Sequence, residues 1–146
     1  PVVRFVNVPE AFLGGAEALY KGMLAQLTAR GRADDPDQRR RIVACAKALE
    51  TSRLWLRRCA EEGEGRDASS GKSTLALLAR EVTEDVCRTV IEIMDRSLGM
   101  AAHEEGSAVE RIKRDLALFL CQAAPDAKRE RAGRALVAVS DLAENL

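Results

Sequence analysis

Residue types able to do chemistry are few in this chain, and their spacing decides what each can do. Gly71-Lys72-Ser73-Thr74 reads like the end of a phosphate-binding loop, G-x-x-x-x-G-K-[ST]. In such a loop the first glycine lets backbone N–H groups curl round phosphate oxygens. Counting back puts Arg66 where that glycine belongs, with Gly65 one residue too early. No strand-like run precedes it, so a mobile loop leading into a helix capped by Ser70 or Ser73 is expected instead. His103 is the only histidine. No Ser, Cys and Asp grouping at readable spacing makes it a general base, so a surface or interface residue is expected. Arg39-Arg40-Arg41 could hold a phosphate, but Asp34, Asp35 and Asp37 stand beside them, which predicts a solvated, ion-paired face. Glu61-Glu62 and Glu104-Glu105 are adjacent and point apart on a helix, as exterior charges do.

The four cysteines, Cys45, Cys59, Cys87 and Cys121, include no C-x-x-C pair. A zinc site would have to gather ligands from distant segments, so buried free thiols are expected, in a reducing compartment. No secretory signal or long apolar span is visible, which predicts a cytoplasmic protein without a membrane partner. Lysine plus arginine and aspartate plus glutamate each number 23. That balance gives no long-range attraction to nucleic acid, and the five scattered aromatics form no base-stacking platform.

These residues must be positioned by helices. Leucine, alanine, arginine and glutamate dominate, and no strand-like alternation occurs. Pro9 suits the first turn of a helix carrying Leu13, Ala16, Leu19, Met23 and Leu27 and stopping near Gly31. Asp35-Pro36 is a cap and first-turn proline for a second helix, with Ile42, Ala46, Leu49 and Leu56 on one side and its end at Gly63. A Gly- and Ser-rich loop from Glu62 to Lys72 follows. The third helix, from about Ser73 to Leu98, has a wide apolar face (Val82, Val86, Val90 and Ile93, with Leu77, Cys87, Ile91 and Met94 beside them). Such a helix is central or packed in an oligomer. Gly99 ends it, and Ser107 with Glu110 forms a capping box for the fourth. Pro125 starts a fifth helix holding Ala132, Leu136, Val139 and Leu142. The expectation is an all-α, up-down four-helix bundle with a fifth carboxy-terminal helix, one domain spanning residues 1–146.

One ordered set of motifs goes further. From Arg96 the chain reads R-S-L-G-M-A-A-H-E-E-G-S-A-V-E-R-I-K-R-D-L. This resembles the carboxy-terminal domain of the acyl-CoA dehydrogenase family, where a long helix runs into a loop of the form Q-x-x-G-G-x-G-[YF], then V-E-R, then Y-R-D. Val109-Glu110-Arg111 and Arg114-Asp115 take those positions without a gap back to Gly99. Upstream, Asp35-Pro36-Asp37-Gln38, followed by Ala48, Leu49, Arg53 and Leu54, is similar to the family's second bundle helix. Gly14-Gly15-Ala16-Glu17-Ala18 is similar to the start of its first. The resemblance spans nearly the whole chain, in order.

It implies the carboxy-terminal bundle of an FAD-dependent oxidoreductase acting on CH–CH groups, one domain of a larger enzyme. The other parts would be amino-terminal and β-domains, on a longer or separate chain. The implied partners are further copies of the chain and an acyl-CoA-like substrate. By position, contact with the adenosine diphosphate part of a neighbouring flavin falls on Gly99, Met100 and His103. In one register the family's flavin-contacting arginine is Arg30; in the other Ala25 stands there. The usual catalytic glutamate, eight residues after the aspartate of R-D, is replaced by Ala123, so the resemblance assigns no catalytic residue. The alternative is a helical interaction or oligomerisation protein derived from that family, which keeps the bundle without the chemistry.

Overall fold

The computed structural model describes residues 2–63, 70–121 and 125–138, with side chains described for residues 9–62, 74–121 and 126–138. The chain is all-α, and the described residues hold no strand. Helix α1 spans Val2–Ala29, α2 Pro36–Gly63, α3 Ser70–Leu98, α4 Ala108–Leu120 and α5 Pro125–Val137. A 3-10 helix, Gly99–His103, joins α3 to α4.

Local chemistry sets most of the ends. Gly31 adopts φ +64°, a conformation that costs glycine nothing. The Arg32 N–H then closes back on Leu27 O at 2.8 Å and the Gly31 N–H on Thr28 O at 3.0 Å. Orphaned carbonyls of α1 are thereby satisfied. Asp35 Oδ1 accepts from the Asp37 N–H at 2.7 Å and caps α2 ahead of Pro36. Ser107 Oγ accepts from the Glu110 N–H at 3.0 Å and caps α4.

Two starts differ from expectation. Pro9 lies inside α1, not in its first turn. A proline there removes one helical hydrogen bond, but its ring is fully buried, so packing offsets the lost bond. Helix α3 begins at Ser70, so the expected loop through Lys72 is shorter. Gly71, Lys72 and Ser73 belong to the helix. Arg66 and Gly65 lie outside the described residues.

Helix α3 is central. It packs against α1, α2, α4 and α5, while α1 also meets α2 and α4. Leu19, Met23 and Leu27 of α1, Cys45 and Leu49 of α2, and Val90 and Met94 of α3 form its dry interior. Ala46, expected on the apolar side of α2, is exposed; the buried side is carried by Cys45, Leu49, Ser52, Leu56 and Cys59.

The pairings give the directions. Arg53 of α2 reaches Glu17 of α1 (Nη2–Oε1 2.8 Å), and Ser52 Oγ lies 2.8 Å from Thr83 Oγ1 of α3. A Cβ built at Gly22 would meet Val109, and one at Gly15 would meet Leu116, so α4 runs back along α1. Lys113 of α4 pairs with Asp95 of α3 (2.7 Å), and Arg129 of α5 pairs with Glu81 (2.7 Å). Helix α5 therefore continues along α3 in the direction of α4. This register is compatible with an up-down order, α5 lengthening the fourth limb.

Candidate functional site

At the end of α3 the backbone turns through Gly99 with φ +58°, and a Cβ there would meet nothing within 4 Å. Backbone conformation, not crowding within the chain, asks for glycine here. Met100 follows with 91% of its surface exposed, whereas Ala102 is fully buried and anchors the turn. His103 is 61% exposed. Met100, Ala101, His103 and Glu104 line an open hollow of about 510 Å³.

Behind this hollow stands a link between α3 and α4. The Lys113 ammonium donates to Asp95 Oδ1 at 2.7 Å. It also lies 3.0 Å from His103 Nδ1 and 3.2 Å from Nε2, so a neutral imidazole can accept from it. Asp95 Oδ1 is 3.6 Å from His103 Nε2. The carboxylate and ammonium neutralise each other and hold the ring at the mouth of the hollow. Among the described residues the partners of His103 are Lys113 and Asp95, and they position its ring.

Of the four residues expected to contact a cofactor, Gly99, Met100 and His103 share this turn. Arg30 is exposed at the end of α1. The Gly22–Val109 approach puts the end of α1 at the same end of the bundle as the start of α4. No bond joins the Arg30 side chain to the turn. Ala123, the usual base position, lies outside the described residues. A second hollow, of about 490 Å³, opens between α3 and α4 beside Asp95, Arg96 and the exposed Cys121.

The sequence reading missed a buried charge pair. Arg80 Nε donates to Glu84 Oε1 at 2.7 Å, with side chains 9% and 1% exposed. The guanidinium lies 5.7 Å from the centre of the Phe12 ring, within cation–π range. Among the described residues Arg80 Nη2 and Glu84 Oε2 have no hydrogen-bond partner. On a helix an Arg–Glu pair four residues apart usually faces water. The signal against that was alignment with Ala76 and Cys87 on the same stripe, both buried.

The cysteines are free. Burial pushes the Cys45 thiol up to about 11. Burial, then the Glu84 charge, pushes Cys87 up to about 12. Cys59 is raised by burial and by Glu62. Among the described residues no His, Cys, Asp and Glu group could hold a metal ion, and no helix is long and apolar enough to cross a membrane. No protein-family model matches this chain, and neither a curated protein nor a solved structure matches it.

Proposed function

We propose that this chain is the carboxy-terminal helical bundle of an acyl-CoA-dehydrogenase-like flavoprotein, an oxidoreductase acting on CH–CH groups. In that role it supplies oligomerisation contacts and part of an FAD site. The observation that carries the reading is the exposed turn from Gly99 to Glu104. Its backbone is fixed by Ala102 and by the Asp95–Lys113–His103 link, yet Gly99 and Met100 face open space. An open, partly apolar wall suits the edge of a flat aromatic group. Such sites are closed by more than one element, so these residues fit FAD as one wall only. When bound, FAD would accept the hydride of a CH–CH oxidation. The chain's own part is to hold the turn and offer His103 at its rim, with Arg30 exposed after α1. The amino-terminal and β-domains of the parent enzyme would complete the site and admit an acyl-CoA-like substrate. Free, largely buried thiols suit a cytoplasmic setting.

A second reading, a non-catalytic interaction or oligomerisation protein, rests on a separate observation. Val43 and Leu54 on α2 and Leu118 and Phe119 on α4 are all more than half exposed. One experiment divides the two. Expressed alone, the chain should be colourless; expressed with an amino-terminal and a β-domain, it should retain FAD. Gly99→Val should then weaken retention, since a β-branched residue disfavours that φ and blocks close approach. Assemblies that never hold flavin would favour the second reading.

A further inference from the structure

We infer that Arg32 and Arg41, held together by Gln38, form a binding site for a phosphoryl oxyanion. The three local carboxylates are already engaged. Asp34 pairs with Arg39 at 2.5 Å, Asp37 pairs with Arg40, and Asp35 caps α2. The expected ion-paired face therefore accounts for two of the three consecutive arginines and leaves out Arg41.

Arg41 turns instead to Gln38, which is 1% exposed and faces the equally buried Ser97 of α3. The neighbours fix the amide's orientation. Nε2 donates to Ser97 Oγ at 3.1 Å, and Oε1 accepts from both Arg41 Nη1 at 3.1 Å and Arg32 Nη2 at 3.0 Å. Two guanidiniums thus converge on one uncharged oxygen. Among the described residues neither has a carboxylate within ion-pair distance. A neutral amide cannot cancel their mutual repulsion. The carbonyl ends of α1 and α3 offer only partial negative charge, which fades within a turn.

Each guanidinium carries five donors and spends one on Gln38. The remainder can fork onto a tetrahedral oxyanion whose double charge matches the pair. A buried amide with two fixed arms is a preorganised clamp. It adjoins α3 at Ser97, two residues before Gly99, and does not depend on the flavoprotein reading.

The test uses the chain itself, titrated calorimetrically with inorganic phosphate and with pyrophosphate at constant ionic strength set by chloride. Saturable binding at one site per chain is expected. Arg32→Met and Arg41→Met should each weaken it on the order of tenfold or more, as loss of a charged hydrogen bond does. Gln38→Glu keeps the shape but puts a carboxylate between the arginines. It should abolish phosphate binding while raising Tm, an outcome that simple misfolding cannot produce. Tighter binding of pyrophosphate would assign a diphosphate ester, and tighter phosphate a monoester; either upholds the site. Indifference of the unmodified chain to phosphate over chloride would overturn it, as would unchanged binding in both arginine variants.

Discussion

Glu84 and Arg80 show what a single pair can reveal. Removing one partner strands the other's charge in the interior, so Glu84→Ala should lower the unfolding free energy by about 3–5 kcal/mol. Replacing both, as Arg80→Met with Glu84→Leu, should be nearly neutral, because the desolvation penalty goes with the attraction. Urea titration of the two variants checks both claims. The thiols give a second residue-scale prediction. Cys45 and Cys87 are protonated in the fold up to about 11 and about 12, while unfolded thiols ionise near 9. The unfolded chain thus releases protons first as pH rises. The thiols' contribution to stability is full below pH 9 and is lost as pH climbs through the folded values. At neutral pH a thiol reagent should label the exposed Cys121 readily, and Cys45 and Cys87 only on unfolding. Gly99, Met100 and His103 were legible as neighbours because they are nearly consecutive. The Lys113 and Asp95 partners of His103 were not, because they depend on the register between two helices. Gln38 escaped because its burial against Ser97 depends on the packing of α2 on α3.

Two glycines in α1 separate local propensity from packing. Gly14 is exposed, with nothing within 4 Å of a built Cβ, whereas a Cβ at Gly22 would lie 2.7 Å from Val109 Cγ2. Gly14→Ala should stabilise by about 0.5–1 kcal/mol through helix propensity alone. Gly22→Ala gains the same propensity but drives α4 away, and overpacking of about 1–3 kcal/mol should win. Val109→Ala in the same chain should recover the loss, which thermal melts of the three variants would read. Caps and stops were legible at this scale because each is short-range chemistry: Asp35 before Pro36, Gly31 after α1, Ser107 before α4. Pro9 was misplaced because only burial, invisible locally, lets a helix run through a proline. Ala46 was misassigned because alanine suits either face of a helix.

At the scale of the molecule, the wide apolar face of α3 has its explanation inside one chain: four helices cover it. Self-association would instead use apolar side chains that stay exposed, among them Leu118 and Phe119 on α4 and Val43 and Leu54 on α2. If copies meet through α4, light scattering at micromolar concentration should report an oligomer, and Leu118→Glu with Phe119→Glu should return it to monomer. The all-α class was legible from composition and punctuation. The identity of the central helix was only half so, since a wide apolar face suits a core or an interface equally. The most direct test of the flavoprotein reading is flavin content. The assembly joining this chain to an amino-terminal and a β-domain would be purified, and its FAD, released by denaturation, compared with its chain count. FAD in equal number to chains, reduced in proportion to flavin retention by Gly99→Val, is the predicted result. A folded assembly of all three parts that carries no FAD would contradict it.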